Sequence, residues 1–370
     1  MTMVNKKIGM AEIKLTESEI AAAERVLRSG ALRQGRECEA FEREFADKVG
    51  SRYAVTCSSG TAALHLSYMA FLKPGDEVLV PSFTFIAAAS TVTAVGAKPV
   101  FCDVDPETFL LDLEDAKSRL TPRTRAIAPV HLFGNVCDID AVNSFALSHN
   151  LAVVWDAAQA HGARYRGNGI GSAGGFVCYS FYPSKNMFVG EGGITCTDNE
   201  EYCDKIRFLR THGQTGPYLH TMIGLNYRMT DVEAAIGREQ LKRLDELIAV
   251  RRRNASILNE AFAEVKGISP QKVTPDTEHA WHQYCIVVDS DTFGCDRNAL
   301  ADHLKRLGID TGVHYPRGLH QQPIFQEMYG KTELMNSERI AENILAIPVH
   351  HGLSEIDVYR IADAVRSCNG

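Results

Sequence analysis

Apolar and polar positions change rhythm twice along the chain. Residues 16–19 (Thr16-Glu17-Ser18-Glu19) read as a capping box opening an amphipathic helix that ends near Gly30, and Phe41 and Phe45, one helical turn apart, mark a second helix. From about Val55, short apolar runs at 77–80, 99–102, 126–130 and 152–155 predict strands. The intervening segments 60–70, 85–95, 114–120 and 139–148 carry helical spacing. This βαβα alternation predicts an α/β fold built on a large, mostly parallel sheet covered on both faces. Such sheets place their chemistry beyond the carboxyl ends of the strands. Asp156 directly follows one predicted strand, and residues 82–85 follow another.

The rhythm then shifts. Residues 176–181 and 193–197 read as two strands of a hairpin around a polar, glycine-rich turn. A long helical stretch runs from Asp231 to about Phe262, of the kind that joins two domains. Beyond it a smaller α+β region is expected, with a loop at 270–277, a strand at 284–288 and helices at 297–307, 337–345 and 354–365. The division that follows is an N-terminal arm and large domain over 1–250 and a smaller C-terminal domain over 251–370.

Composition narrows the function classes. A chain of 370 residues suits two domains, and 45% hydrophobic with 23% charged residues is ordinary for a globular protein. The net charge of −7 gives no sequence-wide field for nucleic acid or an anionic membrane. No run reaches the ~20 apolar residues of a membrane span, and residues 1–14 contain no apolar signal core, so a cytoplasmic location is expected. The ten cysteines form no C-x-x-C pair, which favours reduced thiols over metal ligation.

Three constellations carry chemistry. In Ser58-Ser59-Gly60-Thr61-Ala62, small and hydroxylated residues precede a helix, a place where backbone N–H groups and the helix dipole attract phosphate. Alone, it reads more readily as an ordinary N-cap. Asp156, at the end of a buried strand, needs a partner for its charge; a protonated pyridine nitrogen and the cap of the next helix are both such partners. Lys185 follows a strand and a proline turn and precedes Gly190-Glu191-Gly192-Gly193. A lysine meant for Schiff-base chemistry must sit desolvated beside a pocket; a surface lysine is the bland reading. The three together, in this order and each at a strand end, outweigh the separate bland readings. Two other motifs fail. Residues 169–174 match G-x-G-x-x-G but lead into a strand rather than a helix, and His350-His351 lacks an accompanying carboxylate cluster, so no metal is expected.

These residues resemble the DegT/DnrJ/EryC1/StrS sugar aminotransferases. The resemblance rests on Ser59–Leu66, Pro74–Val78, Pro81–Phe85, Pro129–Gly134, Asp156–Ala160, Ser180–Gly193, Asn226–Asp231 and Val313–Pro316 with Leu319-His320, in order, from about Leu15 to Ala364. It implies the aspartate-aminotransferase (type I) fold, pyridoxal 5'-phosphate (PLP) as cofactor and a homodimer with active sites shared between subunits. Lys185 matches the Schiff-base lysine, Asp156 the acid at the pyridine nitrogen and Gln159 the residue near the phenolic oxygen. Phe85 matches the stacking aromatic. Ser59, Gly60, Thr61, Ala62 and Ser180 match the phosphate grip, to which Asn226 is added from the other subunit. Tyr182, Arg228, His314, Tyr315 and His320 are the expected contacts to the nucleotide-sugar substrate, with Arg317 beside them.

The implied reaction moves an amino group from glutamate to a keto sugar on a nucleoside diphosphate. The Gly190–Gly193 segment resembles the branch that aminates C4 of a 4-keto-6-deoxy sugar, although that branch often has Glu where Gln159 stands; amination at C3 is the alternative. Relatives that dehydrate sugars carry histidine in place of the lysine, so Lys185 favours transamination. Two other readings stand beside it. One is a non-catalytic PLP-binding regulatory protein, against which the intact Lys185, Asp156 and Gln159 argue. The other is a lyase or sulfur-transfer enzyme using Cys57 or Cys178, both of which read more simply as small core residues.

Overall fold

The computed structural model describes residues 7–369. Residues 1–6 and 370, the outermost parts of the two expected domains, lie outside the described residues.

Seven strands form the main sheet: β1 (Tyr53–Cys57), β2 (Glu77–Pro81), β3 (Lys98–Cys102), β4 (Thr124–Ile127), β5 (Ala152–Asp156), β6 (Phe176–Ser180) and β7 (Gly193–Thr197). Their spatial order is β1-β7-β6-β5-β4-β2-β3. The contacts β2/β3, β2/β4, β4/β5 and β5/β6 are parallel, whereas β7 is antiparallel to both its neighbours. Only β7 therefore runs against the rest, and β1, β2, β4, β5 and β6 all deliver their carboxyl ends to one edge. Every residue of β2 is buried, as are four of five in β5 and in β6. Burial on both faces is why these strands read as apolar runs.

Several predicted boundaries move, among them the strand expected at 126–130, which is Thr124–Ile127. The helix expected at 85–95 begins at Ala87, so Phe85 stays in the preceding loop, 52% exposed. The helix expected at 337–345 is Met335–Asn343, and Ile344–Ile347 is instead a fully buried strand antiparallel to Tyr284–Val288. A short apolar run reads the same in either state until its pairing partner is known. The stretch expected as a loop at 270–277 has short strands at both margins, Ile268–Pro270 and Thr277–Glu278. Ile268–Pro270, Tyr284–Val288 and Ile344–Ile347 form a second sheet of three strands.

The long helix Asp231–Phe262 opens with a capping box in which Thr230 and Glu233 satisfy each other's backbone donors. Its apolar residues pass from one core to the other between Ile248 and Ala255. The division is not clean, because Leu319, Phe325 and Ile340 pack into the large core rather than the smaller one. No helix among the described residues is long and apolar enough to cross a membrane.

Candidate active site

At the shared carboxyl edge lies a cavity of about 310 Å³. Its walls come from β1, β2, β5 and β6 through the loops that follow them, closed by residues 282–283 and 314–315 from the C-terminal part.

One wall is the start of the helix Gly60–Met69. The N-cap Ser59 has extended backbone, and its hydroxyl accepts from Ala62 N at 3.0 Å. The N–H groups of Gly60 and Thr61 are left without a protein acceptor among the described residues. Gly60 is demanded by packing: a Cβ there would lie 2.5 Å from the Ser180 Cβ at the end of β6. An open pair of N–H groups at a helix N-terminus, beside the Ser180 hydroxyl, suits an anionic phosphate.

Asp156 ends β5 and forms the floor. One carboxylate oxygen accepts from Ala158 N at 3.0 Å, and the other takes no hydrogen bond from the protein among the described residues. Burial raises its pKa, an effect opposed by that N–H and by the nearby Lys185 charge. Lys185 stands in the loop after β6, with its backbone N–H fixed on the Tyr182 carbonyl at 2.9 Å. Its amine makes no hydrogen bond or ion pair among the described residues. Burial lowers its pKa to about 8, although Asp156 pulls the other way. The two charged groups thus face one cavity without touching.

Between them sits Gln159. Its Oε1 accepts from Phe133 N at 2.6 Å and its Nε2 donates to the Tyr315 hydroxyl at 3.2 Å. Burial pushes the Tyr315 phenol well above its ordinary value, so it stays protonated. The Phe85 ring lies 6.0 Å from that of Tyr315 and half open to the cavity. An unpaired carboxylate oxygen, an unpaired amine, two open N–H groups and a free aromatic face together fit a flat pyridine ring bearing an aldehyde and a phosphate.

Of the residues singled out from sequence, Ser59, Gly60, Thr61, Phe85, Asp156, Gln159, Ser180, Tyr182, Lys185, His314 and Tyr315 line this cavity. Four do not. Ala62 is buried behind the wall with its N–H spent on Ser59. Asn226 and Arg228 lie on the segment beyond the phosphate wall, where the Tyr227 carbonyl accepts from Ser58 N. His320 is 2% exposed, with both ring nitrogens occupied by Ser82 and Glu338, so it cannot reach a ligand in the cavity.

The cavity also contains residues the sequence did not flag, notably His282 and Gln283. Their segment is clamped on three sides. Phe133 O accepts from His282 N at 2.9 Å, Asn186 Nδ2 donates to Ala280 O at 2.9 Å, and the buried Arg251 donates to the carbonyls of Trp281 and His282. No local signal marks this strap, since its clamps come from distant parts of the chain. Cys57 and Cys178 are buried outside the cavity lining, and burial raises both thiols, the opposite of a reactive thiolate. Among the described residues no cluster could hold a metal ion.

Residues 14–366 match the DegT/DnrJ/EryC1/StrS aminotransferase family. The GDP-perosamine synthase of Caulobacter vibrioides is 38% identical over 90% of each chain. The dTDP-3-amino-3,4,6-trideoxy-alpha-D-glucose transaminase of Streptomyces venezuelae is also 38% identical, over 94% of this chain and 90% of that one. Among solved structures, the Spr1654 protein of Streptococcus pneumoniae in its PLP form superposes with a TM-score of 0.92 at 29% identity, covering 98% of both chains.

Proposed function

Because the chain belongs to the DegT/DnrJ/EryC1/StrS aminotransferase family and is a PLP-dependent enzyme, we propose that it transfers the amino group of glutamate to a keto sugar carried on a nucleoside diphosphate, in the cytoplasm. The observation that carries the reading is the isolated Lys185 amine facing the unpaired Asp156 oxygen across a cavity with a phosphate-ready helix terminus as one wall.

PLP, when bound, supplies an electron sink and carries the amino group between the two substrates. The protein's own groups do the rest. The N–H groups of Gly60 and Thr61, with the Ser59 and Ser180 hydroxyls, hold the phosphate. Asp156 would keep a ring nitrogen protonated, because a buried carboxylate favours a cationic partner. Phe85 would cover one face of the ring. Gln159 and Tyr315 would offer an N–H and an O–H to the ring's oxygen. Lys185, half neutral near pH 8, is the group that takes and returns the proton at the reacting carbon.

The substrate is read as a 4-keto-6-deoxy sugar, on the likeness of residues 190–193 to the perosamine branch and the identity to GDP-perosamine synthase. Equal identity to a transaminase named for a 3-amino sugar supports amination at C3 as the second reading. Tyr182, His314 and Tyr315 face the cavity as substrate contacts.

The working unit in this reading is a homodimer. Tyr218 is 95% and Ile223 87% exposed around the short hairpin Gln214–His220, an apolar protrusion that a second copy would cover. Asn226 and Arg228, absent from the cavity of their own chain, would then reach that of the other. Sedimentation should give the mass of two chains; a monomer that turns over would end this part.

The functional test is direct. Glutamate added to the PLP-loaded protein should bleach its visible band and release 2-oxoglutarate in equal amount. A panel of GDP-, dTDP- and UDP-linked 3-keto and 4-keto sugars should then restore the band with one of them. A loaded protein inert to glutamate would defeat the donor assignment, and one inert to every keto sugar would defeat the acceptor.

A further inference from the structure

Ser82 and His320 are 238 residues apart in sequence, and their side chains meet at 2.5 Å, Oγ to Nδ1, in a buried position. The other ring nitrogen, Nε2, lies 3.0 Å from Glu338 Oε1. The order serine, histidine, carboxylate has the look of a hydrolytic relay. It is not one here, because Ser82 has no exposed surface and does not line the cavity.

The hydrogen-bond inventory fixes the roles. A Glu338 carboxylate can only accept, so Nε2 carries the proton. In the neutral ring Nδ1 then accepts from the Ser82 hydroxyl, whose oxygen in turn takes the backbone N–H of His320 at 3.4 Å. Ser82 O accepts from Leu319 N at 2.7 Å. Glu338 is itself held by Leu334 N at 3.1 Å, and the His320 ring keeps its carboxyl below the usual range. The packing leaves no slack: a Cβ on Gly318 would stand 2.7 Å from the His320 ring and 2.9 Å from Ser82 Oγ.

Both ends of this tie lead into the cavity. Two and three residues after Ser82 come Thr84 and Phe85; five and six residues before His320 come Tyr315 and His314. The tie therefore fastens the wall contributed by β2 to the wall contributed by the C-terminal part.

We infer that His320 is a positioning residue: its two ring nitrogens, bridging Ser82 and Glu338, set the spacing between the Phe85 wall and the His314–Tyr315 wall of the active site. What the walls hold rests on the aminotransferase reading; the tie itself does not, and it can be tested on the protein without cofactor.

The experiment is amide hydrogen exchange on the cofactor-free protein, read by mass spectrometry, for wild type, His320→Ala, Ser82→Ala and Glu338→Gln. In His320→Ala, exchange should rise several-fold in residues 82–90 and 312–322 together. Ser82→Ala reports the same coupling from the other end and serves if His320→Ala does not fold. Glu338→Gln keeps an accepting carbonyl and should exchange like wild type. After loading, His320→Ala should lose about tenfold in kcat/KM for the amino donor, with altered circular dichroism of the cofactor band, while Glu338→Gln stays within about twofold. A change confined to the mutated segment, or no change in either, overturns the inference. If the segments respond together but wild type shows no transamination, the tie stands and the functional reading falls.

Discussion

Gln159 donates through Nε2 to the hydroxyl of Tyr315 at 3.2 Å, linking the end of β5 to a loop 156 residues further along. The orientation of the amide is not free. Phe133 N–H takes Oε1, so only the NH₂ end is left for Tyr315 and the cavity. One amide thus aligns a donor on the large sheet with a second donor on the C-terminal part. In Tyr315→Phe, Nε2 loses its protein partner. A loss of about 1 kcal/mol is expected, seen as a severalfold fall in kcat with nearly unchanged PLP affinity. A wild-type kcat would show that the phenol does not serve the reaction.

Replacing Lys185 with alanine removes the one lysine amine that lines the cavity among the described residues. The variant should still bind PLP through the phosphate wall and Asp156, and turnover should fall by about 10⁴-fold or more. Equilibrium dialysis for PLP beside the glutamate half reaction measures both. Transamination at the wild-type rate would remove Lys185 from its assigned role.

The lowered Lys185 pKa makes PLP capture depend on pH in a defined window. Below about 8 the amine is mostly protonated and cannot attack the cofactor's aldehyde. The capture rate of the cofactor-free protein should therefore rise about tenfold per pH unit below that point and level off above it, instead of rising toward the ~10.4 of a solvated lysine. Stopped-flow absorbance from pH 6 to 10 gives the midpoint, and a midpoint above 10 would mean that the amine is solvated.

Gly60→Ala puts a methyl group 2.5 Å from Ser180 Cβ. Overpacking of this kind costs about 1–3 kcal/mol. The strain would part the helix terminus from β6, where the phosphate N–H groups and hydroxyl meet, so PLP affinity should drop more than about tenfold along with the thermal midpoint. Unchanged affinity would place the phosphate elsewhere.

Beneath the same wall, Arg210 Nη1 donates to Glu42 Oε1 at 2.7 Å and to Thr56 O at 2.7 Å, all within the core. Arg210→Met would leave the buried Glu42 carboxylate with the Thr56 N–H and hydroxyl and the more distant Arg207 as its only partners among the described residues, and should destabilise the fold by up to about 3 kcal/mol. Denaturant titration checks this. A loss under ~1 kcal/mol would show that water or another group already serves Glu42.

The order of strands and helices from residue 60 through residue 156, the long joining helix and the strand-end positions of Asp156 and Lys185 were legible in the sequence, whereas the strand Tyr53–Cys57 was not assigned. Each is written locally, in apolar spacing, capping residues and glycine punctuation. The boundary at Ile344–Ile347 was not, because a four-residue apolar run becomes a strand only by pairing with Tyr284–Val288. His320 shows the same limit at the site. By sequence it is a loop histidine beside Tyr315, equally suited to a phosphate or to the core, and contacts with Ser82 and Glu338 put it in the core. His282 and Gln283 reach the cavity because Phe133, Asn186 and Arg251 hold their backbone there. The sequence by itself determined which groups stand at the ends of strands, since chain connectivity fixes that. Only the tertiary structure decided which of them face one another across the cavity, since that depends on hydrogen bonds and packing between residues from different elements, tens to hundreds of positions apart.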